Sequence, residues 1–371
     1  MSVTPPGPPV AAPSGVVADP LATPFFRRAR WVVVALALAG AVLFPFIYTN
    51  PATTTIAVFT LIYVAASSAW NMFSGYTGYM ALGNAVFYGS GAYFLANITT
   101  HFNMTGGVGV FAIVPLAGVF AALVAIPVGF IALRARRHTF VVITIAIFFI
   151  FQLLAYNLQS LTQGSAGMQT PIPPWTAATY NNYFYAAALI VAVLAIALSW
   201  RVRRSRYGLE LLSIRDDEDR ARGLGVKTGR VKLSAFVLTA FITGMCGAIY
   251  AYYLGSIYPP FAFEAIFDLT VALMAFLGGL GTISGPVIGA LILEPVQQYL
   301  NLHITSGGVA LILFGVLFLV VILLFPDGIV PSVAGLLRNF LRKRADPSSS
   351  GNAPPTTAAS AQTPPVREVT P

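Results

Sequence analysis

The sequence predicts an all-α polytopic membrane protein with about ten transmembrane helices, and three observations predict it. Hydrophobic residues make up 57% of the chain and the mean hydropathy is +0.78, more apolar surface than a water-soluble globule of this length covers with polar groups. Apolar runs near twenty residues recur, and a helix needs about 20 such residues to cross a hydrocarbon core of about 30 Å. The 21 Lys and Arg fall into only four clusters, the pattern left when translocated short loops exclude them and cytoplasmic loops retain them.

The elements follow in chain order. Residues 1–26 are rich in Pro, Ala, Ser and Thr without apolar periodicity, so they cannot offset their ordering entropy and read as a disordered tail. Behind Arg27, Arg28 and Arg30 comes the run 31–48, which lacks a small-x-small cleavage site and reads as a retained anchor. The runs 54–72, 80–99 and 108–133 complete four crossings before the second basic cluster at 134–137. The runs 140–156 and 183–200 enclose the charge-free loop 157–182 and lead to the third cluster, 201–232. Last come 233–254, 266–300 and 309–325, the middle one long enough for two crossings if it breaks near "GGLGTISGP". Four, two and four crossings are all even, so the basic clusters share one side and both termini lie in the cytoplasm. The transmembrane region is then 27–344, with a second disordered tail at 345–371.

Several chemistries are excluded. Topology accounts for the +9 net charge, so no nucleic-acid partner is expected. Cys246 is the sole cysteine and reads as a small packing residue, which excludes an internal disulfide or a thiolate metal cluster. His101, His138 and His303 are scattered rather than paired on one helix face, so no metal is expected, and nothing in the chain calls for a cofactor. Ser284 in "GTISG" with His303 mimics a serine protease, but the glycine lies one position too far upstream and small residues ordinarily pack helices. No Gly-x-x-x-x-Gly-Lys-Ser/Thr phosphate loop exists. The chain is therefore not expected to be an enzyme, and energy must come from a gradient or a partner.

Glycine is unevenly placed. "GYTGYMALGNAVFYGSGAY" holds Gly75, Gly78, Gly83, Gly89 and Gly91, and "LGGLGTISGPVIGA" holds Gly278, Gly279, Gly281, Gly285 and Gly289. Such segments permit close helix approach and helix breaks where the backbone lines a cavity. Their positions, early in the first and last groups of crossings, suggest corresponding half-helix breaks of a pseudo-repeat around a translocation path.

The densest polar island is "LELLSIRDDEDRARGLGVKTGRVK", residues 209–232. Asp216 with Arg220 and Glu218 with Arg222 stand at i, i+4 with acid before base, favouring a short exposed helix that Gly223 and Gly225 stop. On charge pattern alone, a solvated positive-inside loop is the simpler reading.

Four stretches resemble, in order, the permeases of the branched-chain amino acid ABC transporters, the LivH/LivM family, and the LivM half most. They are "NMFSGYTGYMALGNAVFYGSGAY", "SLTQGSAGM", "YGLELLSIRDDEDRARGLGVKTGRVKLSAFVLTAFITGMCGAIYA" and "FLGGLGTISGPVIGA", within a resemblance spanning about residues 54–331. Tyr79, Ala81 and Asn84 stand where the family commonly has Gln, Ser and His, and Gln163 where Gly is usual. Polar groups near a pore set specificity, so the cargo stays open among branched-chain amino acids, other amino acids, amides, small carboxylates and urea.

The resemblance implies a type II-like ABC importer permease in the bacterial inner membrane. Its partners would be a LivH-like sister permease, two cytoplasmic ATP-binding subunits, a periplasmic or lipid-anchored binding protein and the surrounding lipid. It also implies a translocation pathway along Gly75, Gly78, Tyr79, Ala81, Gly83, Asn84, Gly278, Gly279, Gly281 and Gly285. Coupling to the ATPase would fall to the loop 201–232, through Leu212, Ile214, Arg215, Glu218, Ala221, Leu224 and Gly225. The alternative is an ion-coupled secondary transporter of a small polar solute. That needs a buried ionisable site, for which Glu294 is the best candidate, with Glu264 and Asp268 expected at the external mouth and Asp327 at the cytoplasmic end.

Overall fold

The structure, a computed structural model, describes residues 24–48 and 50–303 and scattered positions between 309 and 335. Helix α1 spans Pro24–Ile47. Helix α2, Pro51–Trp70, starts at Asn50, whose side chain accepts from the Ala52 amide at 3.0 Å, and continues into a wider turn, Asn71–Gly75. Then follow α3 (Ala85–His101), α4 (Val114–Ala132), α5 (Arg137–Asn157) and α6 (Ala177–Arg203). Two short polar helices, α7 (Arg206–Asp216) and α8 (Glu218–Gly223), precede α9 (Thr228–Leu254), α10 (Ala265–Gly278) and α11 (Gly285–His303).

Six helical stretches among the described residues are long and apolar enough to cross a membrane: Pro51–Gly75, Val108–Ala132, Arg137–Asn157, Thr179–Arg203, Thr228–Leu254 and Pro259–Gly278. Helices α1, α3 and α11 lie at three more of the expected spans. The remaining expected span, 309–325, falls on residues that are only partly described, and Asp327 lies outside them. So do the expected tails, 1–26 and 345–371, except that α1 already begins at Pro24.

Helix α9 is the hub, packed against α3, α4 and α2. Small residues bring the backbones together, as membrane helices require when no hydrophobic difference between lipid and side chain drives association. A Cβ on Gly247 of α9 would collide with the Tyr88 carbonyl of α3, and one on Gly91 of α3 with the Gly244 carbonyl of α9. Cys246 is fully buried where α9 faces α2, its sulfur 3.7 Å from the Ile62 carbonyl, as expected of a packing residue.

The bundle has two unlike ends. At one, the turn before α5 meets α7, where Arg137 Nη2 donates to the carbonyls of Ile214 (2.9 Å) and Arg215 (2.6 Å), so the second and third basic clusters share a face. At the other, β1 (Met168–Gln169) pairs antiparallel with β2 (Ser256–Ile257), tying the uncharged loop after α5 to the end of α9.

Candidate functional site

Both glycine-rich segments are helix breaks, and they face each other at the basic end. The first differs from the expected span 80–99, because helix begins only at Ala85 and residues 78–83 are non-helical. Gly78 makes the turn at φ +72°, a conformation that L side chains rarely adopt. Backbone groups released in this way need partners inside a membrane protein, and side chains supply them. Trp70 Nε1 donates to the Ala81 carbonyl at 2.7 Å, and Ser74 Oγ accepts from the Ala81 amide at 3.2 Å. Thr144 Oγ1 accepts from Leu82 N at 3.3 Å, and Asp268 Oδ1 from Ala85 N at 3.0 Å. Asp268 is thus 4% exposed and holds the start of α3, rather than opening at an external mouth as expected.

The second break, residues 279–284, divides the expected 266–300 run into α10 and α11 as its glycines predict. Gly281 has φ +76°, and Thr282 Oγ1 donates to the Gly279 carbonyl at 2.8 Å and accepts from Gly285 N at 3.0 Å to restart the helix. A Cβ on Gly278 would meet the Gly285 carbonyl, so the arms leave no room for a side chain. Fully buried Asn71 joins the breaks, donating through Nδ2 to the Thr282 carbonyl at 2.7 Å and accepting at Oδ1 from Gly281 N at 2.8 Å.

The polar island forms two helices instead of one. Asp217, extended at φ −155°, separates them and caps α8 by accepting at Oδ1 from Asp219 N and Arg220 N, both 3.0 Å. Those backbone bonds, with the Arg220 charge, hold the Asp217 carboxyl below its ordinary pKa. The expected Glu218 and Arg222 pair forms at 3.2 Å, whereas Arg220 pairs with Asp217 at 3.1 Å.

The island grips the breaks. Arg215 Nη1 donates to the Gly75 carbonyl at 2.9 Å, and a Cβ on Gly281 would lie 2.5 Å from the same nitrogen. Tyr79 donates its hydroxyl to Glu218 Oε2. Lys232, only 3% exposed, reaches Glu218 Oε1 at 2.7 Å and the Tyr79 hydroxyl at 3.2 Å, with its ammonium 4.3 Å from the Tyr79 ring centroid. Desolvation pushes the Glu218 carboxyl up, but the Lys232 and Tyr79 hydrogen bonds, aided by the Lys232 and Arg222 charges, outweigh it and set the pKa below the ordinary value.

Gly75, Gly78, Tyr79, Gly281, Arg215 and Glu218, expected in two separate roles, therefore form one cluster. Ala81, Gly83 and Asn84 lie along the unwound stretch, where the buried Asn84 amide has no hydrogen-bond partner among the described residues. Gly278, Gly279 and Gly285 frame the second break and are buried.

The residues expected to dock a partner need correction. Ile214 and Ala221 are 0% and 2% exposed because Leu211 and Ile214 form the buried stripe of α7 and Ala221 that of α8, and Arg215 is committed to the first break. The apolar surface that the island offers is instead Leu224, 84% exposed, and Leu209, 64% exposed, with Gly225 exposed and Leu212 half-buried. Sequence reasoning left out Asn71, Arg137, Lys232 and Asp268 as site residues. Their signal was present, since each is a polar or charged side chain at the edge of, or inside, an apolar run.

Residues 52–323 match the family model of the branched-chain amino acid transport system / permease component. The high-affinity branched-chain amino acid transport system permease protein LivM of Escherichia coli is 28% identical over 334 residues, covering 82% of this chain and 75% of LivM. Its counterpart LivH of Salmonella typhimurium is 31% identical over 184 residues, 47% of this chain and 59% of LivH. The fructose import permease protein FrcC of Rhizobium meliloti is 28% identical over 147 residues, 38% of this chain and 41% of FrcC. No solved structure matches the chain.

Proposed function

Since the chain belongs to the branched-chain amino acid transport permease family, we propose that it is the LivM-like half of an ATP-driven importer for branched-chain or related amino acids. A LivH-like subunit forms the other half of the pathway, two cytoplasmic ATP-binding subunits drive it, and an extracytoplasmic binding protein delivers the substrate. The basic end faces the cytoplasm with both termini, in a bacterial inner membrane, and the segments 1–26 and 345–371 are tails outside the permease domain.

One observation carries the reading. Two charged helices, α7 and α8, carry Leu209 and Leu224 outward while Arg215 and Glu218 bond the first helix break, which Asn71 ties to the second. A chain with no phosphate loop can receive work through such a segment. The pathway runs between the breaks. Branched-chain amino acids head the list of cargoes because LivM and LivH transport them by name; fructose in a more distant relative marks how far cargo varies on this scaffold.

The test is uptake of radiolabelled leucine, isoleucine and valine into vesicles carrying this chain with its co-purified partners. Uptake that needs enclosed ATP and the binding protein supports the reading. Uptake by this chain alone, driven by a proton or sodium gradient, overturns it. The second reading, an ion-coupled transporter, has one observation in its favour: Glu294 is 1% exposed inside α11, with Oε1 accepting from Gln298 at 2.9 Å and Oε2 without a partner among the described residues. Glu294→Gln separates the two. ATP-driven uptake within about twofold of the parent fits the importer, whereas loss of at least about a hundredfold fits an essential ion site.

A further inference from the structure

The two breaks and the island are joined by more contacts than a docking loop requires. Arg215 touches both breaks, donating to the Gly75 carbonyl at 2.9 Å and lying where Gly281 has no side chain. Asn71 locks one break to the other through hydrogen bonds of 2.7 and 2.8 Å, so a displacement of Arg215 moves both. Arg137 fixes the end of α7 by bonding the carbonyls of Ile214 and Arg215 itself, which leaves the guanidinium of Arg215 as the part that reaches inward. On the other side of Asp217, Tyr79 reaches from the first break to Glu218 at the start of α8. Lys232, at the start of α9, binds both of them.

We propose that Tyr79 and Arg215 are positioning residues that transmit movement of α7 and α8 to the two helix breaks, so that the pathway opens and closes as one unit with the polar segment. This rests on the ATP-driven reading above. The two ties differ in kind. Arg215 satisfies a carbonyl that the end of α2 leaves free, so it holds the break in its present shape. Tyr79 joins an ion pair whose Lys232 side chain is buried, and Glu218 and Lys232 cannot part without leaving that ammonium without its carboxylate. A push on α8 therefore pulls residues 78–84 along rather than sliding past them.

Tyr79→Phe isolates the second tie, because the ring keeps its place against Phe140, 5.5 Å away by centroids, and under the Lys232 ammonium. Arg215→Gln isolates the first, and Arg215→Lys, which restores a charged donor for the Gly75 carbonyl, is its conservative control. Two measurements are made on the assembled complex. In vesicles, leucine uptake per ATP hydrolysed is expected to fall at least about fivefold in Tyr79→Phe and Arg215→Gln and to return to within about twofold in Arg215→Lys, the scale of ordinary coupling between sites. Amide hydrogen exchange of residues 75–84 and 279–284 is expected to quicken about tenfold in Arg215→Gln, with α4 and α5 unchanged.

Parental uptake per ATP in both Tyr79→Phe and Arg215→Gln overturns the proposal, as does exchange that quickens throughout the bundle, which marks a structural role only. If the parent complex shows no ATP-dependent uptake, the functional reading fails. The exchange result then still decides the tie: unchanged exchange at both breaks in Arg215→Gln removes it.

Discussion

Lys232→Met tests whether the ion pair at the basic end is as desolvated as its geometry implies. Methionine keeps much of the length of the stem and removes the ammonium that lies 2.7 Å from Glu218 Oε1 and 3.2 Å from the Tyr79 hydroxyl. The Lys232 side chain is 4% exposed and that of Glu218 17%, so the change strands a carboxylate that is only partly open to water. Breaking a buried pair from one side costs about 3–5 kcal/mol. Glu218 retains the Tyr79 hydroxyl and Arg222, but Arg222 is 64% exposed, and exposed pairs return only about 0–1 kcal/mol. The expected loss is therefore about 3 kcal/mol. Adding Glu218→Gln removes the stranded charge while leaving an amide oxygen for Tyr79, and is expected to recover all but about 1 kcal/mol.

The pH dependence gives the same pair a sign. In the parent, Glu218 titrates below its ordinary value, so its contribution is complete above that value and is lost as pH falls through the lower folded pKa. In Lys232→Met, desolvation acts without the opposing ammonium and the folded pKa moves up, so the penalty is largest at neutral pH and is relieved as the carboxyl protonates. The gap between parent and variant thermal midpoints in detergent should then be widest near neutrality and close toward about pH 4. A variant as stable as the parent, or a gap that is flat in pH, refutes the reasoning.

Further predictions concern packing, sidedness and the docking surface. Gly247→Ala drives a methyl group into the Tyr88 carbonyl and is expected to cost about 1–3 kcal/mol, seen as a lower thermal midpoint. Gly229→Ala, with open space around it, is expected to be neutral or stabilising by up to about 1 kcal/mol. Cysteine at Ile172, 82% exposed in the uncharged loop, is expected to react with an impermeant external thiol reagent, while cysteine at Leu224 is not; native Cys246 is buried and adds no background. Labelling of both from one side would refute the shared orientation. Ile214→Asp, at a fully buried position, is expected to lower membrane abundance severely. Leu224→Asp is expected to leave abundance intact and to reduce ATPase co-purification at least about fivefold, the scale set by losing an apolar anchor.

The spans were legible because the bilayer imposes a single rule of length and polarity on every one of them. The break at 279–284 was legible for a related reason: Gly278, Gly279, Gly281 and Gly285 fall within eight residues of an otherwise apolar run, and little else allows so tight a reversal. A break in the first glycine-rich segment was expected, but its placement at residues 78–83, ahead of α3, was not legible. "MALGN" reads as helix or as extended chain equally well, and what decides between them are bonds from Trp70, Ser74, Thr144 and Asp268, up to 183 residues away. Periodicity reports the side-chain face of a helix and carries no information about which distant donor or acceptor will satisfy its backbone.

The site failed to read in a more instructive way. Positive-inside counting assigns every Arg of 201–232 to solvent, and the family resemblance then made Arg215 a contact for a partner. Yet a helix that ends at Thr77 inside a bundle leaves carbonyls, that of Gly75 among them, that must find donors. The nearest long donors at that depth belong to the basic loops, since the same end of the bundle carries both the breaks and the retained charges. A glycine-broken helix end on a basic face therefore requires that some of those charges point inward. Arg215 on Gly75, Arg137 on Ile214 and Arg215, and Lys232 on Glu218 and Tyr79 are three that do. In this chain the charges expected to orient the protein in the bilayer and those that hold its breaks belong to one set, so a substitution chosen to flip topology is expected to loosen the breaks as well.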